Sequence, residues 1–257
     1  MIRFASLGSG SKGNALLVES GGTRVLLDCG FGPRELALRL DRLGVDPESI
    51  EAVLVTHEHA DHVGGAARCA ARFGWVVHAS HGTTAAAGPL SDTPVRRFDS
   101  HACFAIGDLE IHPYPVPHDA REPTQFVFSD GADRLGVLTD AGMITPHIVS
   151  MLKDCAALVL ECNHDAAMLA NGRYPPSLKR RIAGEFGHLD NSQAADLLRS
   201  LTSSHLSHVI AAHLSEENNT SELARAALAD ALGCSADWVG VASQSEGFGW
   251  RELRPVV

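Results

Sequence analysis

The stretch "IEAVLVTHEHADHVGG", residues 50–65, constrains this chain more than any other. Its first half is a short apolar run rich in valine and reads as a buried strand. Its second half crowds His57, His59, Asp61 and His62 at the mouth of that strand, followed by Gly64 and Gly65. A loop leaving a strand with this spacing aims two pairs of ligand-type side chains at neighbouring points. Two adjacent cations are the natural occupant. Imidazole suits zinc, iron or manganese, and the added carboxylate suits a hydrolytic ion rather than a closed structural zinc.

Length and composition allow a large core around such a site. The chain has 257 residues, 45% of them hydrophobic and 20% charged, which predicts one α/β unit over 1–257. The apolar runs "IRFASL", "NALLVES", "TRVLLDCG", "EAVLVT", "WVVHAS", "LEIHPYPV", "TQFVFSD", "RLGVLTD", "AALVLECN" and "SHVIAAHLS" read as strands. "PRELALRLDRLG" reads as a helix with proline early and Gly44 at its end, "HVGGAARCAARFG" as a second, and "NSQAADLLRSL" and "TSELARAALADALG" as two more. Hairpin-type strands interspersed with helices imply an α/β (α+β) fold of two mixed sheets covered by helices, a four-layer αββα sandwich.

Other features narrow the function classes. No stretch approaches membrane-spanning length and the N-terminus lacks a leader pattern, so a soluble cytoplasmic protein is expected. Six cysteines without a C-x-x-C pair fit reduced thiols. The formal net charge of -10 argues against nonspecific coating of nucleic acid, though not against an enzyme with one basic groove. Lys179, Arg180 and Arg181 are the candidates for that groove, with a solvated helix face as the plainer reading.

"GSGSKG" (Gly8, Gly10, Gly13) matches the dinucleotide pattern G-x-G-x-x-G, with Asp28 at a suitable distance for a ribose-binding acid. The mechanism needs a helix to start at the third glycine. Here strand, Gly-Gly turn and strand follow instead, so a turn between strands is expected. Its backbone N–H groups, with Ser9, Ser11 and Asn14, are candidates for holding a phosphate.

The "HEHADH" run resembles the H-x-H-x-D-H motif of the metallo-β-lactamase superfamily at every ligand position. "VPHDA" (His118), "LTDAG" (Asp140) and "AAHLS" (His213) are similar to its later motifs. The resemblance implies the metallo-β-lactamase fold and two divalent ions, zinc or manganese, with iron also accepted by this ligand set. It implies that His57, His59 and His118 hold one ion, that Asp61, His62 and His213 hold the other, and that Asp140 bridges them. Asp28 in "VLLDCG" matches the aspartate that supports the histidine loop from behind. His78, His81, His101, His112, His147, His205 and His208 fit no motif and are expected to be structural or solvated, and His164 in "LECNHD" is left unassigned.

"LGSGSKGNALLVES", "ECNHDAAMLANGRYPPSLKRRIAGEFGHLDNSQAADLL" and "HLSEENNTSELA" further resemble the YycJ (WalJ) branch, a bacterial group of 5'-to-3' DNA exonucleases. The chain departs from that branch at Cys162 and Asp190, where serine is common. The resemblance implies a binuclear phosphodiesterase acting on DNA through a hydroxide shared by ions about 3.5–4 Å apart, with Asp61 and His188 as catalytic residues. By analogy with related phosphodiesterases, His188 protonates the departing oxygen. The competing reading has His188 cap or orient a helix beginning at Asn191, and Asp190 beside it is expected to raise its basicity.

Two other function classes stay open: a small-molecule hydrolase of the same fold (a cyclic phosphodiesterase or glyoxalase-type thioester hydrolase), and a sensory protein with a structural metal. The second conflicts with seven ligand-type residues arranged for open ions. With only two tyrosines and three tryptophans, a groove tracking the backbone is favoured over base readout. No protein partner is legible, and a homodimer stays open.

Overall fold

The computed structural model describes residues 1–201 and 206–253, so His205 lies outside the described residues. One sheet contains β1 (Ile2–Gly8), β2 (Ala15–Ser20), β3 (Thr23–Leu27), β4 (Ala52–Val55), β5 (Val76–Ser80) and β6 (Val95–Phe98). The other contains β7 (Phe104–Ile106), β8 (Leu109–Pro115), β9 (Thr124–Ser129), β10 (Arg134–Leu138), β11 (Ala157–Glu161), β12 (His208–Ala212) and β13 (Gly240–Val241). The chain then returns to the first sheet as β14 (Phe248–Glu252), giving the orders β14-β1-β2-β3-β4-β5-β6 and β13-β12-β11-β10-β9-β8-β7. Each sheet is antiparallel on one side and parallel on the other, β3 to β6 in the first and β10 to β13 in the second.

Strand alternation sorts the apolar residues into three layers. Ala52 and Leu54 of β4 join Phe4, Val18, Phe126, Phe128, Val159 and Ile210 between the sheets. Val53 and Val55 face outward with Leu17 and Leu26 onto α1 (Pro33–Asp41) and, beyond α2 (Ala60–Val63), α3 (Ala66–Phe73). α4 (His81–Ala86) packs on β5 and β6. On the second sheet, Leu158, Leu160, Val209 and Ala211 face α5 (Pro146–Leu152), α8 (Asn191–Ser200) and α9 (Ser221–Leu232), while α6 (Ala166–Asn171) and α7 (Pro176–Ile182) lie in the connection before α8. This is the αββα sandwich expected from the pattern of elements. No helix among the described residues is long and apolar enough to cross a membrane.

The glycine-rich segment is a turn between β1 and β2, as the strand–turn–strand reading required. The helix expected over "HVGGAARCAARFG" is broken at Gly64 and Gly65 into α2 and α3. The Asp61 carbonyl, which a continuous helix would offer to Gly65, accepts instead from Asn14 N–H at 2.8 Å, and Gly65 N–H donates to Cys29 O at 2.7 Å. The break lets the ligand loop dock on the 28–31 turn. A β-carbon on Gly65 would lie 1.8 Å from Phe31 O. Gly65→Ala is therefore expected to destabilise the protein by about 1–3 kcal/mol, seen as a lower urea midpoint at unchanged slope.

Candidate metal centre

The site stands at the carboxyl ends of the parallel strands, where ligands of open α/β sheets collect. Asp28 follows β3, Thr56 and His57 follow β4, Asp140 comes two residues after β10, Glu161 ends β11 and His213 follows β12. β8 leads to His118. Asp28, Asp140 and His213 have φ of 61°, 52° and 54°, a left-handed backbone that non-glycine residues adopt only where their surroundings impose it. The turn there aims each side chain back across the strand ends.

Two groups of donors result. His57, His59 and His118 form one and Asp61, His62 and His213 the other, the donor atoms in each lying within 4.8 Å of one another. Asp140 stands between them: its Oδ2 is 3.2 Å from His62 Nε2, and its Oδ1 is 3.6 Å from His213 Nε2 and 3.9 Å from His118 Nε2. Asp61 Oδ2 lies 3.4 Å from His62 Nε2 and 3.5 Å from His213 Nε2. All seven residues named from the motifs thus meet in one cluster.

Four of the five imidazoles are held from behind. His57 Nδ1 meets Thr56 Oγ1 at 2.9 Å, His62 Nδ1 meets Asp28 Oδ2 at 2.7 Å, His118 Nδ1 meets Gly187 O at 3.0 Å and His213 Nδ1 meets Glu161 Oε1 at 3.2 Å. Asp28 is itself fixed by Thr56 N–H at 2.8 Å. Such backing sets the tautomer and turns each Nε2 inward, as metal-binding histidines require. His57 Nε2, His213 Nε2 and Asp140 Oδ2 are buried without a well-directed hydrogen bond among the described residues. Buried polar atoms are rarely left so unless something else binds them. This donor set fits divalent metal.

Electrostatics agree. Burial disfavours charge on His213, yet Asp140, Asp61 and Glu161 raise its pKa to about 10. Burial likewise opposes charge on His62, and Asp140, Asp28 and Asp61 overcome it and raise its pKa. Burial acts against the Asp61 carboxylate, but His62 and His213 hold its pKa well down. The carboxylates demand positive charge in the centre, which a divalent cation would supply.

The remaining residues named from sequence divide. His188 reaches the cluster, its Nδ1 3.6 Å from Asp140 Oδ1 and 2.8 Å from Glu161 Oε1. It does not cap α8. Asp190 is the cap, accepting from Gln193 N–H in a reciprocal capping box. Burial lowers the His188 pKa, but Glu161 and Asp140 together raise it overall, and Glu161, rather than the expected Asp190, is its hydrogen-bonded acidic partner.

Ser11 lines the cavity over the centre. Ser9 and Asn14 are buried behind it: Ser9 Oγ accepts from His213 N–H at 2.9 Å, and Asn14 Nδ2 lies 3.3 Å from Asp61 Oδ2 and 3.1 Å from His62 Nε2. Their contacts orient donors instead of facing a phosphate. Of the basic run on α7, Arg181 lines the cavity, paired with Asp119, whereas Lys179 donates to Ala170 O at 2.7 Å and Arg180 is absent from the lining. His164 is buried with Nδ1 unpartnered among the described residues, and does not line the cavity.

Sequence reasoning missed Glu161, Thr56 and Asp119. Glu161 is fully buried and receives four donors: His188 Nδ1, His213 Nδ1, and the N–H groups of Ala141 and Leu189 at 3.0 and 3.1 Å. A charged residue closing an otherwise apolar strand was the signal available.

A four-layer sandwich whose parallel strands end in clustered histidines and carboxylates defines a class of metal-binding hydrolases. The chain belongs to the metallo-beta-lactamase superfamily: the family model described as "Metallo-beta-lactamase superfamily" matches residues 8–153, more than half of its length. Within it the chain is of the YycJ type. It is 33% identical over 238 residues to Exodeoxyribonuclease YycJ of Bacillus anthracis, covering 90% of this chain and 89% of the relative. Exodeoxyribonuclease WalJ of Streptococcus pneumoniae is 29% identical over 246 residues, covering 93% and 91%. Among solved structures, the metallo-beta-lactamase fold protein YhfI of Bacillus subtilis superposes with a TM-score of 0.72 at 16% identity, covering 97% of this chain and 98% of that one, a likeness of fold.

Proposed function

We propose that this protein is a two-metal phosphodiesterase that removes nucleotides from DNA, 5' to 3'. Asp140 carries the reading, because it lies between two histidine-bearing donor groups at the floor of a cavity whose wall holds a cation, Arg181. In this reading His57, His59 and His118 would hold one ion and Asp61, His62 and His213 the other, with Asp140 as a ligand available to each. Metal bound there would supply Lewis acidity, lowering the pKa of water toward neutrality and offsetting charge on the phosphoryl oxygens. Relatives named exodeoxyribonucleases along nine-tenths of the chain support DNA as the substrate.

The protein's own groups do the rest. Arg181 binds a backbone phosphate, exchanging its Asp119 partner for the substrate. Ser11, Ser215 and Asn163 line the same cavity and offer hydrogen bonds, and Tyr174 with Leu178 gives one apolar wall against which a base can lie. His188 keeps Nδ1 on Glu161, so its protonated ring carries the second proton at Nε2, for delivery to the departing oxygen. The cavity, about 410 Å³, is of small-ligand size and accepts a terminal nucleotide rather than a whole duplex. That favours exonuclease action.

The same size favours a second reading, a small phosphodiester such as a cyclic nucleotide. A time course with metal on 5'-labelled and 3'-labelled DNA duplexes separates the two. Release of labelled mononucleotide from the 5' end at the earliest times is expected. Intact DNA alongside rapid opening of cyclic nucleotides would replace the first reading with the second.

Arg181→Ala is expected to raise KM for DNA several-fold at nearly constant kcat. It should also reduce the slope of log(kcat/KM) against log salt by about 1. Rates measured across a salt series check both effects.

A further inference from the structure

Away from the centre, Cys103, Glu110 and His112 bring a thiol, a carboxylate and an imidazole together, with donor atoms within 4.8 Å of one another. The sheet register produces this. β7 and β8 pair with Phe104 opposite Ile111 and Ala105 opposite Glu110, so the residue preceding β7, Cys103, falls opposite His112. Phe104 and Ile111 turn into the layer between the sheets, and alternation sends Cys103, Glu110 and His112 to the other face. A directly opposed pair and its i±2 neighbour are the residues of a sheet whose side chains meet. Glu110 Oε2 is already 3.2 Å from His112 Nε2, and β7 is the last strand of its sheet, so Cys103 is open to solvent.

We propose that these three side chains form a second metal site, separate from the hydrolytic centre, which takes zinc or another thiophilic divalent ion with solvent in the fourth position. Thiolate and imidazole together select zinc-like ions, and three protein donors with one open place is a recurrent zinc arrangement. Bonds of about 2.0–2.3 Å put tetrahedral donors roughly 3.3–3.8 Å apart, a small closing movement for exposed side chains. Binding forms a sulfur–metal bond and releases the Cys103 thiol proton to solvent, with no change of oxidation state. An ion there staples edge strand β7 to β8.

The sulfur makes the site separately observable, because the donors gathered in the main centre are nitrogen and oxygen only. The test strips the full chain with a chelator and titrates it with cobalt(II), following sulfur-to-cobalt charge-transfer absorption. The band is expected to rise to one cobalt per chain, to vanish in Cys103→Ser and to persist in Cys234→Ser and Asp140→Asn. His112→Ala should weaken it roughly tenfold or more. Hydrolysis by Cys103→Ser should match wild type. A missing band, a band that survives Cys103→Ser, or unchanged affinity in His112→Ala would overturn the proposal, the last by showing adventitious binding to a thiol alone.

Discussion

Asp140→Asn is expected to lower hydrolysis by about 10³-fold, roughly 4 kcal/mol of transition-state stabilisation, while leaving the fold intact. Asparagine tolerates the left-handed backbone at φ 52°, so the turn after β10 survives. What is lost is the charge and one oxygen at a point facing His62, His118 and His213. The amide nitrogen put in its place cannot accept a cation. Turnover on labelled DNA, read beside circular dichroism, checks this, and retention of more than about a tenth of the activity would show that Asp140 does not join the two donor groups.

Glu161→Gln is the second large effect, and it falls on a residue to which no motif gave a role. One carboxylate oxygen accepts from Ala141 and Leu189 N–H, the other faces His188 Nδ1 and His213 Nδ1. Burial raises the Glu161 pKa, but His188 and His213 bring it well below the usual carboxylate range, so the group is anionic in the fold. Glutamine has one acceptor oxygen for these four donors. Whichever pair keeps it, the NH2 confronts the other, and an imidazole that loses its acceptor at Nδ1 shifts its proton to the inward Nε2. A stability loss of about 3 kcal/mol is expected, with metal affinity down roughly 10–100-fold. Urea unfolding of metal-free protein and chelator competition measure the two separately. Wild-type values in both would remove Glu161 from the account.

Much of this was written in the sequence because the chemistry is local. The H-x-H-x-D-H loop follows a short valine-rich apolar run that reads as a strand buried on both faces, and Val53 and Leu54 do face opposite layers. Segments such as β6, with two exposed arginines among four residues, and the two-residue β13 carry too little alternation to read as strands. Thr56, Glu161 and Asp119 were passed over for another reason, although Glu161 closing an apolar strand was a signal. The roles of Thr56 and Glu161 depend on which strand ends are adjacent, β11 meeting β10 and β12 only through long-range parallel pairing, and that of Asp119 depends on where α7 brings Arg181. Lys179, Arg180 and Arg181 look equivalent in sequence, yet the turn of α7 directs one of them to the cavity. Asp190 looks like a partner for His188 until the fold gives it to the α8 cap.

The central claim is that two ions, held on either side of Asp140, act on a phosphodiester. The most direct test adds divalent metal stepwise to metal-free Cys103→Ser protein and follows single-turnover cleavage of 5'-labelled duplex DNA. Cleavage that is negligible at one bound ion per chain and complete at two is the predicted result. Full activity with a single ion, or intact DNA with two bound, would contradict it.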